Sequence, residues 1–272
     1  MSTSITSVTT TTIQEYIIRP FAVFIKIILV FFMLFSISAV YAQNSKKTKV
    51  PINSRNNGSK NNPRGFIEYL PKNYNSRNNW PVIIWHHGLG SDGNGSSSAL
   101  NKLLNQHIMG YVNSNDIPFI VLSPQGSNGY FGGGRMEAFY DWVRKEYQNK
   151  SDPDAYHIEV LSASGTGLTK MLEANGLMSK QVATLTINGA LTGVGKASIY
   201  QSVAQNNTKV WFHHGDKDNT VKPGAPTNFY RGLLNEIGGE DYDRFRFTLY
   251  TNMGHSAWNE VYDNSGRNRG KN

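Results

Sequence analysis

From residue 65 onward, short apolar runs alternate with stretches of helical periodicity, and this alternation limits the folds open to the chain. Gly65–Leu70, Pro81–Trp85, Phe119–Leu122, Ile158–Leu161, Val182–Ile187, Lys209–Phe212 and Phe245–Tyr250 are predicted as strands, several of them buried on both faces. Between them, Leu100, Leu103, Leu104, Ile108, Tyr111 and Val112 recur on one helical face. Met136, Phe139, Tyr140, Val143 and Tyr147 repeat that spacing. Leu168–Leu172 opens another predicted helix, and Tyr200 with Val203 and Tyr230 with Leu233, Leu234 and Ile237 mark two more. Regular β–α alternation predicts an α/β fold, with a mostly parallel central sheet and helices on both faces. In such sheets, ligands bind beyond the carboxyl ends of the strands.

The chain is 272 residues long, enough for one sizeable domain, with 39% apolar and 17% charged residues. Residues 1–42 are expected to be a signal peptide rather than part of the fold. Ile27–Ala42 carries no charge, is shorter than the roughly 20 residues of a bilayer span, and ends in the small-residue pattern Val40-Tyr41-Ala42-Gln43. This predicts a secreted or periplasmic protein with no stable membrane span after cleavage. Residues 43–64 are rich in Asn, Ser, Lys and Arg and are expected to be a disordered basic linker, leaving residues 65–272 as the folded domain. The net charge of +8 is concentrated partly in that segment, but no aromatic or nucleic-acid motif accompanies it, so no nucleic-acid partner is expected. The chain has no cysteine, which excludes disulfides, thiolate nucleophiles and zinc–thiolate sites.

Three residues follow predicted strands in the order Ser164, Asp218, His255. A serine hydroxyl needs an imidazole to take its proton and a carboxylate to orient that imidazole. The order serine, acid, histidine is that of α/β-hydrolases. Ser164 lies in Ser162-Ala163-Ser164-Gly165-Thr166, which reads as a strand-to-helix turn carrying the nucleophile. Asp216 competes with Asp218 for the acid; Asp218 lies further into the loop and is preferred. A glycine-rich turn, His87-Gly88-Leu89-Gly90, follows a strand, so the backbone N–H groups of Leu89 and Gly165 are the expected oxyanion donors. The pairs His86-His87 and His213-His214 do not make a metal site, because neighbouring strand residues point to opposite faces. His107 and His157 read as surface or helix-face residues. Asn128–Arg135, with Tyr130 and Phe131, is a candidate substrate wall.

Gly65-Phe66-Ile67-Glu68-Tyr69-Leu70-Pro71, the His87–Gly90 turn, His214-Gly215 with Asp218, and Gly254-His255-Ser256-Ala257-Trp258 resemble secreted α/β-hydrolase esterases. The nearest likeness is to the polyhydroxybutyrate-depolymerase, feruloyl-esterase and predicted-peptidase group. The resemblance implies a serine esterase that needs no cofactor or metal and acts on a small-molecule or polymer-linked ester. It implies Ser164 as nucleophile, Asp218 as acid, His255 as base, and Leu89 and Gly165 as oxyanion donors. Ser162 and Thr166 stand where the group usually keeps glycine around such a serine. Two rival readings follow: a non-catalytic binding protein with an altered elbow, and a peptidase of the same fold.

Overall fold

The computed structural model describes residues 43–55, 65–127, 134–174, 181–190, 196–262 and 270–271. The chain divides into Met1–Ala42 and Gln43–Asn272. The expected leader, and residues 128–133 of the expected substrate wall, lie outside the described residues. Among the described residues, no helix is long and apolar enough to cross a membrane.

Among the described residues, nine strands form one sheet: β1 (Lys46–Val50), β2 (Phe66–Leu70), β3 (Trp80–His86), β4 (Ile120–Pro124), β5 (Ser151–Leu161), β6 (Val182–Asn188), β7 (Lys209–Gly215), β8 (Phe245–Tyr250) and β9 (Gly270–Lys271). Their spatial order is β1-β2-β4-β3-β5-β6-β7-β8-β9. The six strands from β4 across to β8 are mutually parallel. At the edges, β1 and β2 run antiparallel, and β9 closes the far side antiparallel to β8.

Helices α1 (His107–Tyr111), α2 (Arg135–Glu146), α3 (Gly165–Glu173), α4 (Ala197–Gln205), α5 (Gly224–Glu236) and α6 (Asn259–Tyr262) complete the layers. One apolar cluster joins Ile84, Ile158, Ile187 and Phe212 of the sheet to Phe139, Leu168, Val203 and Phe229 of the helices α2 to α5. A second, smaller cluster on the opposite face joins Ile67, Trp85, Val121 and Leu161 to Leu100, Ile108 and Met109. The expected spacing on α2 holds: Met136, Phe139, Tyr140 and Val143 are all buried. Each such side chain contributes about 1.5–3 kcal/mol of burial.

Two expectations need correction. The stretch expected to be a linker contains a strand, since β1 pairs with β2 from Lys46↔Leu70 to Val50↔Phe66. Its lysines suit an edge strand, and Lys47 and Lys49 find partners. Lys47 Nζ donates to the carbonyls of Leu104 and Met109, at 2.7 and 3.0 Å. Arg55 then grips buried Glu68 with both terminal nitrogens, at 2.5 and 2.9 Å. Second, the single helix expected over Leu100–Val112 is a 3₁₀ turn, Ala99–Lys102, followed by the short α1. The break falls at His107, whose φ is +43°. Extended backbone at Gln106 followed by left-handed backbone at His107 interrupts the helix despite the continuous apolar spacing.

Candidate active site

The carboxyl ends of β3, β5, β7 and β8 bring the site together. β5 ends at Leu161 in extended backbone, and Ser162 turns sharply with φ +50° before α3 begins at Gly165. A non-glycine residue with positive φ between strand and helix lifts its hydroxyl clear of the sheet at a cost in backbone strain. Ser162 Oγ lies 2.7 Å from His255 Nε2. On the other side of the ring, His255 Nδ1 lies 2.8 Å from Asp218 Oδ2.

Ser164 does not reach this chain of contacts. Its side chain is fully buried and accepts the Leu161 N–H at 2.7 Å. Its hydroxyl is directed at the carbonyls of Leu161 and His86, at 2.9 and 3.2 Å. Ser164 therefore braces the turn, and the serine facing His255 is Ser162. Two further expectations change with it. The residue following that serine is Ala163 rather than Gly165. The residues flanking the serine by two positions become Val160 and Ser164, and Thr166 lies exposed on α3. The signal was present in the sequence: the strand ends at Leu161, so the sharp turn belongs to the next residue.

Of Asp216 and Asp218, the carboxylate that meets His255 is that of Asp218. Its side chain is fully buried, and Oδ1 accepts the N–H groups of Thr220 and Val221, both at 2.9 Å. Burial alone would raise its pKa. The hydrogen bonds from His255, Val221 and Thr220 together outweigh that and hold the carboxyl below its ordinary value. His214, unassigned from sequence, lies behind the carboxylate. Its Nε2 faces the Val221 carbonyl at 2.7 Å and Asp218 Oδ2 at 3.1 Å. Burial lowers its pKa, so it stays a neutral imidazole that fixes the acid loop. His87 ties down the turn after β3, with Nε2 accepting the Gly126 N–H and Nδ1 facing the Gly88 carbonyl, both at 2.7 Å. A Cβ on Gly88 would stand 3.2 Å from the Ser162 Cβ, so this turn runs directly beside the serine.

A cavity of about 620 Å³ opens over Ser162 and His255. Its lining includes Leu89, Gln106, His107, Thr220 and Trp258. His107 is thus a cavity residue rather than a surface one, and burial lowers its pKa to about 4, leaving it neutral. None of the described lining residues is Asp, Glu, Lys or Arg. Trp258 stands edge-on to His255, with ring centroids 4.7 Å apart. It packs so closely on Gly189 that a Cβ there would meet its ring at 2.8 Å. Gly215 admits the His255 loop in the same way, its would-be Cβ lying 2.3 Å from the carbonyls of Met253 and Gly254.

Beneath this loop, Glu159 of β5 is buried. Its Oε1 accepts from Asn188 Nδ2 at 2.6 Å and from the Tyr262 hydroxyl. Burial raises the Glu159 pKa from its ordinary 4.5 to about 7, although both hydrogen bonds pull it down. Folding therefore favours the protonated acid. Its stabilising contribution is complete below pH 4.5 and is lost as pH rises through about 7. The gap corresponds to about 3 kcal/mol. Glu159→Gln removes the titration and keeps the accepting oxygen. Asn188 Oδ1, buried with no hydrogen-bond partner, offers an acceptor for the new amide. Urea unfolding should show the variant and the wild type about equally stable at pH 4.5, and the variant ahead by about 3 kcal/mol at pH 8. A constant difference across that range would refute the assignment.

No protein-family model and no curated protein matches the sequence. Solved structures do match in three dimensions. A thermostable esterase superposes with a TM-score of 0.54 at 20% identity, over 74% of this chain. The chain spans 56% of that esterase's length. A ferulic acid esterase matches with a TM-score of 0.57 at 16% identity, over 84% of this chain and 97% of its own. The feruloyl esterase module from Clostridium thermocellum complexed with sinapinate gives 0.51 at 15% identity, over 81% and 84%. The chain has the α/β-hydrolase fold.

Proposed function

We propose that this protein is a serine esterase that cleaves carboxylic esters through an acyl-enzyme on Ser162. The observation that carries the reading is the unbroken line of contacts Ser162 Oγ–His255 Nε2–Asp218 Oδ2, at 2.7 and 2.8 Å. His255 Nδ1 bears the proton shared with Asp218, leaving Nε2 free to accept from Ser162. As Ser162 Oγ bonds to the ester carbon, its proton passes to Nε2. The tetrahedral oxyanion would be met by the backbone N–H groups of Ala163 and Leu89. On collapse, the ester C–O bond breaks and Nε2 returns the proton to the leaving alcohol. A water molecule then gives its proton to Nε2 and attacks the acyl carbon; the bond from that carbon to Ser162 Oγ breaks, Nε2 returns the proton to Oγ, and the acid is released. All of this needs no cofactor or metal.

Esters rather than amides are the proposed substrates because the matching structures are esterases. The described cavity lining, without Asp, Glu, Lys or Arg, favours an uncharged ester. Secretion or periplasmic residence remains part of the proposal, resting on the character of residues 1–42. The test is labelling by a fluorophosphonate probe, followed by a panel of p-nitrophenyl esters and a peptide anilide. We expect covalent labelling at Ser162 and turnover of the esters. A folded protein that takes no label would instead be a binding protein, and faster anilide cleavage would make it a peptidase.

A further inference from the structure

Glu159 and Ser162 share one strand end, three residues apart, while His255 arrives from the opposite end of the domain sequence. After His255 the chain runs through the 3₁₀ turn His255–Trp258 into α6, which ends at Tyr262. The Tyr262 hydroxyl donates to Glu159 Oε1 and receives Asn188 Nδ2 at 3.3 Å. Besides the Ser162–His255 contact, this polar contact joins the serine-bearing strand to the segment that carries the histidine.

The intervening residues turn this contact into a lever. The Tyr262 ring lies 5.3 Å from His107, which packs edge-on to Trp258 at 6.3 Å, and Trp258 stands against His255. Along the segment, Trp258 leans on Gly189 and Tyr262 on Glu159, so both are seated on β5 and on the end of β6. His255 is partly exposed, as Ser162 is, with 21% of its side chain accessible, whereas Asp218 is sealed. Burial, followed by the nearby Glu159, pushes the Tyr262 phenol well above its ordinary value, so it remains a donor.

We propose that Glu159 and Tyr262 are positioning residues that hold His255 in register with Ser162. Neither touches substrate; both act through the α6 segment. This inference rests on the esterase reading above, and a misplacement of about 1 Å is enough to reveal it kinetically.

The decisive variant is Tyr262→Phe, which removes one oxygen and keeps the ring. With p-nitrophenyl acetate we expect kcat to fall ~10- to 100-fold while KM stays within about twofold. Glu159→Gln, which still accepts the Tyr262 hydroxyl, should stay within about threefold of the wild type. Glu159→Ala should match Tyr262→Phe, and the Glu159→Ala/Tyr262→Phe double variant should be no worse than either. The same variants are read by proton NMR. The low-field resonance of the His255 Nδ1–H, identified by its loss in Asp218→Asn, should broaden or shift in Tyr262→Phe and persist in Glu159→Gln. Wild-type kcat and an unchanged resonance in Tyr262→Phe, with only a lower melting temperature, would overturn the inference. If the wild type neither hydrolyses esters nor takes the fluorophosphonate, the esterase reading fails. The resonance still reports whether Tyr262 positions His255.

Discussion

Ser162→Ala lowers kcat for ester hydrolysis by on the order of 10⁴-fold or more and abolishes fluorophosphonate labelling, whereas Ser164→Ala remains labelled. The two serines are separated by one alanine and by opposite environments. Ser162 is strained at φ +50°, opens onto the cavity and touches His255. Ser164 is sealed from solvent, and its hydroxyl is committed to the Leu161 N–H and to nearby carbonyls. Its removal leaves the Leu161 N–H without that acceptor, at a cost of about 1–3 kcal/mol in stability. Rate measurement, mass mapping of the labelled peptide and thermal unfolding check the three statements separately. Label retained in Ser162→Ala and lost in Ser164→Ala would reverse the assignment.

Asp218→Asn should cost about 10⁴-fold in kcat while the protein stays folded. The Thr220 and Val221 N–H groups now bond Oδ1, and an asparagine presents its own oxygen to them. Its amide nitrogen then faces His255 Nδ1 and donates to it. The imidazole must adopt the other tautomer, with the proton on Nε2 directed at Ser162, and it loses the capacity to accept. The steady-state rate on p-nitrophenyl acetate measures the loss, and the rate of fluorophosphonate labelling should fall with it. A variant within tenfold of the wild type would show that Asp218 does not orient the base.

The parallel sheet was legible because β3, β4, β6 and β8 carry dense runs of Ile, Val, Leu and Phe, and because α2 keeps strict helical spacing. Asp218 and His255 were legible because each follows a strand in a short loop. The choice between Ser162 and Ser164 was legible only in part: the strand end at Leu161 pointed to the next residue, but the decisive facts are a backbone angle and the burial of a hydroxyl. Composition pointed to small, flexible residues and favoured the serine next to Gly165; the strain sits two residues earlier. β1 was hidden by its lysines, whose partners Leu104, Met109 and Asn113 lie far along the chain. The Glu159–Tyr262 contact spans 103 residues and leaves no local pattern at all.

The pairing of β1 with β2 moves the beginning of the folding unit. A fragment starting at Gly65, where apolar patterning begins, would expose the β2 edge and strip the Arg55 guanidinium from a glutamate that is 3% accessible. Truncation there removes a counter-ion from the interior, not a tether from the outside. The residues just downstream of Ala42 therefore belong to the folded body, and any recombinant boundary has to respect them.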